Sequence, residues 1–162
     1  MGLHPIAYHL SPNTIMSKTR SLHHIVFATK NRKRTIPEEH KKKLYAYIMG
    51  ILNSKKCFLH RINGIQDHIH ILVDLHPSMC LADLVKDIKR SSTNWLRHQP
   101  EFCDFDSWCD GYFAESVGVE GLEGCRQYII NQEQHHLSRD FASEMEWLAI
   151  KNNLEWIPED LQ

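Results

Sequence analysis

The stretch DHIHILVDL, residues 67–75, is the most informative part of the sequence for both fold and function. Apolar residues stand at every second position from Ile69 to Leu75, which is the pattern of a β-strand with one face in a hydrophobic core. His68 and His70 alternate with them and therefore point together to the opposite face. Two imidazoles about 7 Å apart on a rigid strand can bind one metal ion. The stretch therefore predicts a strand that carries a candidate metal site.

The spacing of the two histidines does not identify such a site by itself. With 12 histidines among 162 residues, about one His-x-His triplet is expected by chance. The strand context raises the pair above chance, and so does a second set of residues near position 130.

The length and the hydrophobic content of 42% fit one globular domain with a core. We assign this domain to residues 18–162 and expect residues 1–17 to form a flexible extension, because residues 1–15 contain two prolines and no Asp, Glu, Lys or Arg. No apolar run approaches the roughly 20 residues that span a bilayer, and we expect a cytoplasmic protein. The five cysteines include no Cys-x-x-Cys pair, which favours scattered buried thiols over a disulfide framework or a zinc ribbon.

The net charge of −1 conceals two oppositely charged parts. Residues 1–100 contain 16 Lys and Arg against 6 Asp and Glu, whereas residues 101–162 contain 3 against 14. Two interpretations are open: a local basic patch binds a polyanion through its phosphates, or the two parts neutralise each other within one fold.

Hydrophobic periodicity predicts the element order β-α-β-β-α-β-α, with one more helix at the end. Short connections between such elements favour an α+β fold, with a single antiparallel β-sheet and helices packed on it. Asn63-Gly64 suggests a tight turn or a bulge before the His68 strand. The predicted elements are a strand over residues 21–29, a helix over 37–56, strands over 57–62 and from 68, a helix after 78, a weaker strand region over 108–119, and helices over 121–136 and 140–152.

The second set of residues lies on the helix over 121–136. Tyr128 and Gln132 are four positions apart and therefore share one helix face. Tyrosine can act as a covalent nucleophile, and the glutamine carbonyl can bind a metal ion. A core or rim aromatic is the plainer reading of Tyr128 alone. His135 and His136 lie one turn beyond Gln132 and could approach the metal or DNA, but charge and capping at the helix C-terminus is the better explanation.

In this order and spacing, the motifs resemble the single-tyrosine HUH transposases, insertion-sequence enzymes that cut and rejoin single-stranded DNA and whose relatives include the REP-associated tyrosine transposases. The resemblance covers roughly residues 18–150. Its elements are HIVFATK (24–30), DHIH (67–70), the helix over 84–95, Trp108 with Gly111-Tyr112, and YIINQ (128–132).

The resemblance implies a ferredoxin-like or RRM-like HUH fold and a set of roles. Tyr128 would attack a phosphorus of single-stranded DNA and form a 5′-phosphotyrosine link. His68, His70 and Gln132 would bind Mg²⁺ or Mn²⁺. Family members form homodimers with composite active sites, in which the tyrosine helix of one subunit completes the site of the other, and they recognise DNA hairpins.

Two imidazole ligands favour Mn²⁺, Ni²⁺ or Co²⁺ at least as much as Mg²⁺. The sequence departs from the family pattern at Cys109, where glutamine is usual, and at Glu115, where an aromatic residue is usual. We expect the acidic C-terminal third to face away from the DNA. The residues predicted to contact DNA phosphates are Lys30, Arg32, Lys33, Arg34, Lys89 and Arg90.

Two alternatives to an active transposase are a catalytically inactive or domesticated DNA-hairpin-binding protein of the same fold, and an α+β protein with a structural metal and no nucleic-acid role. Binding without cleavage would indicate the former. DNA binding that is absent or insensitive to salt would indicate the latter.

Overall fold

The computed structural model of the chain describes residues 18–157 and 159, so the predicted extension over 1–17 lies outside the described residues. Within them, four strands and five helices form. The strands are β1 (Leu22–Ala28), β2 (Phe58–Ile65), β3 (His68–Asp74) and β4 (Phe113–Ser116), and the helices are α1 (Lys41–Ser54), α2 (Leu81–Leu96), α3 (Leu122–Ile130), α4 (Gln132–His135) and α5 (Phe141–Lys151).

The strands form one sheet in the order β2-β3-β1-β4, and every neighbouring pair is antiparallel. The predicted α+β fold with a single antiparallel sheet is confirmed. The stretch from His68 becomes β3, which lies inside the sheet between β2 and β1. Its alternating side chains therefore meet covering layers on both faces.

One face of the sheet packs against α1 and α2 and forms the larger hydrophobic core. The predicted apolar row of β3 lies here, as expected, and is fully or nearly fully buried. The main contributors are Ile25 and Phe27 from β1, Ile69, Ile71 and Val73 from β3, Leu44, Ile48 and Leu52 from α1, and Leu84, Val85 and Ile88 from α2.

The opposite face, which we call the histidine face, is covered by α3, α4 and α5. It presents His24 from β1 and His68 and His70 from β3, all buried. A smaller apolar cluster lies beside them and holds α5 against the sheet. Its buried members are Val26, Ala28, Cys109, Phe113, Phe141, Met145 and Leu148.

The prediction of a turn or bulge at Asn63-Gly64 is wrong. Both residues are paired within β2, Asn63 with His70 and Gly64 with Ile69, and the turn falls at residues 66–67. A Cβ atom on Gly64 would collide with the carbonyl oxygen of His68. Glycine is required there because the two strands approach each other closely.

The helix predicted over 121–136 is broken at Asn131 into α3 and α4. The side-chain amide of Asn63 donates hydrogen bonds to the carbonyl oxygens of Ile129 (3.0 Å) and Ile130 (3.1 Å). In a continuous helix these carbonyls would accept from amides one turn later. The β2 strand thus ends α3 and ties it to the sheet.

Two further sequence expectations concern the helices. Pro37 begins a turn that leads into α1, and the helix itself starts at Lys41 rather than Pro37. Among the described residues, no helix combines the length and the apolar character that crossing a membrane requires.

Candidate active site

Four side chains converge on the histidine face: His68 and His70 from β3, His136 from the residue after α4, and Glu144 from α5. Their potential ligand atoms all lie within 4.8 Å of one another. The Nε2 atoms of His68 and His70 are each 3.7 Å from a carboxylate oxygen of Glu144. His136 Nε2 is 2.9 Å from Glu144 Oε2.

The polar atoms at the centre of this cluster fit a divalent metal ion. His68 Nε2 and His70 Nε2 are buried and have no hydrogen-bond partner among the described residues, and the buried Glu144 Oε2 lies 2.9 Å from His136 Nε2. Leaving buried polar atoms unpaired is costly, unless something else satisfies them. Ligand atoms about 2.1 Å from one ion lie about 3 Å apart at right angles, so a small inward movement would bring all three into coordination.

The electrostatics of the cluster keep His70 and Glu144 in the protonation states that metal binding requires. Burial lowers the pKa of His70 to about 3, so this imidazole is neutral at neutral pH. Burial alone would raise the pKa of Glu144, but its contacts with His136 and His70 outweigh it and hold that pKa well below its ordinary value. Neutral imidazole and ionised carboxylate are the forms that bind metals.

Tyr128 and Gln132 reach the same cluster. The hydroxyl of Tyr128 donates a hydrogen bond to Glu144 Oε1, and its ring centre lies 6.0 Å from that of His70. The amide of Gln132 donates to Glu144 Oε1 (3.0 Å) and its carbonyl accepts from His136 (3.1 Å). Burial and the charge of Glu144 raise the pKa of Tyr128, so the phenol is protonated in this arrangement.

The chain itself brings the predicted tyrosine to the predicted metal site. In this structure α3 places Tyr128 beside His70, because Asn63 ties the end of α3 to β2. The described chain thus brings Tyr128, Gln132, His68 and His70 together, and the composite site stays a prediction. The homodimer stays a prediction.

Each histidine of β3 is held by a further partner through its other ring nitrogen. His68 Nδ1 lies 2.7 Å from Asp67 Oδ1. His70 Nδ1 lies 2.9 Å from His24 Nε2, and His24 Nδ1 lies 2.9 Å from Glu115 Oε1. Such partners orient metal-binding imidazoles and fix their tautomers. The departure from the family pattern at Glu115 thus supplies a partner for His24.

The predicted phosphate contacts have different surroundings. Lys30, Arg32, Lys33 and Arg34 are exposed in the loop after β1, at the end of the sheet where Ala28 pairs with His68. Their side chains form no salt bridge within the described residues.

The two predicted contacts on α2 lie on the other side of the sheet. The ammonium group of Lys89 donates to the carbonyls of Cys109 (2.9 Å), Asp110 (3.1 Å) and Gly111 (2.7 Å). It holds the loop before β4. Arg90 is exposed, with its guanidinium 3.7 Å from Asp87.

Glu144 is the site residue that the sequence prediction missed. His136 is the C-cap residue of α4, as expected, and its imidazole also contacts Glu144, which places it at the cluster that the less favoured interpretation named. One signal for Glu144 was available: it stands in the apolar stripe Phe141, Met145 and Leu148 at helical spacing. A carboxylate within a buried apolar stripe needs a hydrogen-bonding or charged partner, and the imidazoles of the histidine face supply one.

Comparisons with known proteins agree with this geometry. The family model described as "Transposase IS200 like" matches residues 17–132. The transposases for insertion sequence element IS200 from Salmonella typhimurium and Salmonella typhi are each 26% identical over 127 residues, which cover 75% of this chain and 80% of the relative.

Two solved structures share the fold. A candidate transposase from Deinococcus radiodurans has a TM-score of 0.53 at 22% identity and covers 77% of this chain and 98% of its own. A REP-associated tyrosine transposase bound to a REP hairpin has a TM-score of 0.58 at 12% identity and covers 78% and 74%. Because the family model matches most of the length of this chain, the chain belongs to the IS200-like transposases.

Proposed function

We propose that the protein cleaves and rejoins single-stranded DNA at the ends of an insertion sequence through a 5′-phosphotyrosine intermediate. The observation that carries this proposal is the position of the Tyr128 hydroxyl. This hydroxyl donates a hydrogen bond to Glu144, which belongs to a buried cluster that also contains His68 and His70. A nucleophile, a proton acceptor and a candidate metal site therefore meet at one point.

The chemistry is an in-line exchange at phosphorus. The phenolic oxygen of Tyr128 forms a bond to the phosphorus of the scissile phosphodiester while its proton passes to the Glu144 carboxylate. The bond from phosphorus to the 3′ oxygen breaks, and this oxygen takes up a proton from water to become a free 3′-hydroxyl. Rejoining reverses these steps, so the reaction needs no external energy source.

A divalent ion held by His68, His70 and Glu144 would polarise the scissile phosphate and stabilise the charge that develops on it. Gln132, the predicted third ligand, instead donates to Glu144 and orients that carboxylate. Two imidazoles with one carboxylate suit Mn²⁺ at least as well as Mg²⁺. The choice between these ions, and the direct ligation by Gln132, stay predictions.

A covalent-adduct assay tests the function. A labelled oligonucleotide with a hairpin is incubated with the protein and Mn²⁺, and the expected product is a protein–DNA adduct that survives denaturant. Tyr128→Phe should abolish this adduct while DNA binding persists, since only the hydroxyl is removed. Adduct formation by Tyr128→Phe would refute the assignment. Tyr112→Phe, a hydroxyl removed from an exposed tyrosine outside the cluster, is the matched control.

DNA hairpins are the proposed substrate feature, supported by the hairpin named for the REP-associated relative of the same fold. Lys30, Arg32, Lys33, Arg34 and Arg90 are proposed to contact phosphates, because they are exposed cations. Lys89 is proposed to act indirectly by holding the loop before β4. Replacing the exposed cations should weaken hairpin binding. The slope of log affinity against log salt concentration should fall in magnitude by roughly one for each phosphate contact that is lost.

A homodimer is also proposed from the resemblance. Mixing Tyr128→Phe subunits with His68→Ala, His70→Ala subunits tests whether its sites are composite. If one subunit completes the other, the mixture forms the adduct that neither variant forms alone. If each chain uses its own tyrosine, as its geometry favours, the mixture stays inactive.

The inactive hairpin-binding protein is the second candidate function. It would bind the hairpin oligonucleotide and form no adduct with Mg²⁺, Mn²⁺ or Co²⁺. The intact set of Tyr128, His68, His70 and Glu144 favours the active enzyme, since a decayed site has no need to keep all four groups in contact.

A further inference from the structure

Three neighbouring cavities border the histidine cluster, and Tyr128 lines two of them. We propose that they form one groove for single-stranded DNA, in which Arg32, Arg34, Arg139 and Lys151 bind phosphates and Trp147 stacks on a base. The proposal rests on the proposed function and extends it, because it assigns the path of the strand on both sides of the scissile phosphate. Arg139, Trp147 and Lys151 have no role in the chemistry described above.

The cavities are neighbours, because each shares lining residues with the next. The first, of about 510 Å³, is lined by Arg32, Arg34 and Arg139 beside His136. The second, of about 290 Å³, shares His136 and Arg139 with the first and opens onto Tyr128. The third, of about 520 Å³, shares Tyr128 and Trp147 with the second and ends at Lys151. Tyr128 therefore lies along the groove rather than at its end, as cleavage within a strand requires.

The charges along the groove favour a polyanion. Arg32, Arg34 and Arg139 are exposed and form no salt bridge within the described residues, whereas Lys151 lies 3.4 Å from Glu115.

The acidic groups of the same walls are already engaged inside the protein. Asp67 contacts His68, and Glu144 contacts the histidine cluster. Glu115 contacts His24. Asp140 accepts a hydrogen bond from the Ser143 amide at the start of α5. The groove therefore offers positive charge from three unpaired arginines, and Asp140 alone among its four acidic groups is exposed.

Trp147 gives the groove an aromatic surface next to the nucleophile. Its side chain is 41% exposed, and its ring centre lies 6.0 Å from that of Tyr128. The guanidinium of Arg139 and the ammonium of Lys151 lie 5.4 and 5.6 Å from the ring centre. An aromatic ring flanked by cations is typical of single-strand binding, because unpaired bases expose faces that can stack.

The wall of the third cavity leaves room for such a base. Gly118 and Gly124 line it, and a Cβ atom at either position would meet nothing within 4 Å. Duplex DNA keeps its bases stacked on one another, so a site built on stacking selects an unpaired strand. The partner is thus single-stranded nucleic acid rather than duplex.

Fluorescence anisotropy with a labelled oligo-dT strand, without metal and in a Tyr128→Phe background, measures binding separately from cleavage. Trp147→Ala should weaken binding by about 5- to 150-fold, the range for loss of one stacked base, while Trp147→Phe restores most of it. Arg139→Gln and Lys151→Gln should each weaken binding and lower the slope of log affinity against log salt by about one. Circular dichroism confirms that each variant is folded.

Two control variants match these changes away from the groove. Tyr112→Ala removes an exposed aromatic ring, and Arg97→Gln removes an exposed cation directly after α2 that contacts Asp106. Neither should alter the affinity for oligo-dT by more than a small factor. A poly-glutamate competitor of equal charge should displace the strand poorly, because it cannot stack.

The outcomes separate this proposal from the proposed function. If Trp147→Ala and Arg139→Gln bind oligo-dT like the controls, the groove is wrong, even where the parent protein forms the covalent adduct. Equal displacement by poly-glutamate would also overturn it, because the surface would then be a plain cationic patch. If the groove variants lose affinity but no adduct ever forms, the groove stands and the cleavage chemistry fails.

Discussion

Two residues, His24 and Glu115, hold His70 in place: His24 contacts His70, and Glu115 contacts His24. For the Nε2 atom of His70 to face a metal ion with a free lone pair, the ring proton must sit on Nδ1 and be donated to His24 Nε2. His24 then carries its own proton on Nδ1 and donates it to Glu115. His70 and His24 each have one tautomer that satisfies all of these hydrogen bonds. Glu115 therefore acts on the metal site through His24, as a positioning residue.

Removing the acceptor on His24 should weaken metal binding. We expect His24→Leu to lower the affinity for Mn²⁺ by about 10- to 100-fold, the usual effect of losing a partner of a metal ligand. His24→Gln keeps a carbonyl acceptor for His70 and should bind nearly as well as the parent. Titration calorimetry measures both.

The control replaces a neighbouring histidine of β1 by leucine. His23 lies next to His24, and the hydrogen bond of its ring within the described residues is to the Ser21 carbonyl. His23→Leu should therefore leave the Mn²⁺ affinity unchanged. Nitrogen chemical shifts of the metal-free protein report the tautomer of His70 directly. An unaltered His70 tautomer and parent-like Mn²⁺ affinity in His24→Leu would contradict the positioning role.

Glu115 should also make the stability of the protein depend on acid pH. Burial alone would raise the pKa of Glu115, but hydrogen bonds from His24 and Asn152 lower it to about 2, from an ordinary value of 4.5. A carboxyl with a depressed pKa stabilises the folded state above its unfolded pKa and loses this effect as pH falls. The stability gap between the parent and Glu115→Gln should therefore close between pH 4.5 and 2.

Urea unfolding of the metal-free protein over this pH range measures the gap. Glu39→Gln, at an exposed position in the turn before α1, should show a small gap at every pH. A gap for Glu115→Gln that stayed constant down to pH 2 would show that the carboxylate contributes through packing alone.

At the level of single residues, the sequence predicted what local patterns record. Alternation placed His68 and His70 on one face, and helical spacing joined Tyr128 to Gln132. Glu144 lies in a different element, and no local pattern connects it with the histidines. Its role follows from the packing of α5 on the sheet, which periodicity alone does not describe.

At the level of elements, the tie between β2 and α3 decides where the nucleophile stands. We expect Asn63→Leu to leave the carbonyls of Ile129 and Ile130 unpaired, at a cost of about 1–3 kcal/mol for each buried group that cannot reach water. Hydrogen exchange should accelerate over residues 125–132 more than over α1. Asn53→Leu, an exposed asparagine of α1, is the matched control. Unchanged exchange in α3 would show that the tie is dispensable.

The same tie explains why element boundaries were harder to predict than element types. Asn63 and Gly64 have the composition of a turn, yet both are paired in β2 because the asparagine is needed at α3 and the glycine at His68. Likewise, nothing in residues 121–136 marks a break at Asn131, because the groups that end α3 come from a strand more than sixty positions earlier. Tertiary contacts outweighed local preference in both places.

At the level of the whole molecule, the two faces of the sheet divide stability from chemistry. Ile48 of α1 is fully buried in the larger core, on the face without the histidine cluster. Ile48→Ala should lower the free energy of unfolding by about 2–5 kcal/mol, by removing buried methyl groups and leaving a cavity. Mn²⁺ affinity of the folded protein should stay within a small factor of the parent value. A parallel loss of affinity would show that the faces are coupled.

The opposite charges of the two parts of the chain also acquire a structural meaning. Part of the acidic third lies at the site, because α3 and α5 cover the histidine face. That this third faces away from the DNA stays a prediction. Glu115 and Glu144 come from this third and contact imidazoles of β1 and β3. Neutralisation within the fold and a local basic surface, the two alternatives open from the sequence, are both present.

The family match ends at Gln132, whereas Glu144 and Trp147 lie on α5, beyond it. A shortened descendant that stopped at the boundary would retain every motif by which such proteins are recognised. It would nevertheless expose the apolar side chains of Val26 and Phe113 and leave two imidazoles facing water without their carboxylate. A gene survey that scores motifs alone would count such a truncated gene as intact. The segment that encodes α5 is therefore the one to inspect when functional copies are distinguished from non-functional ones.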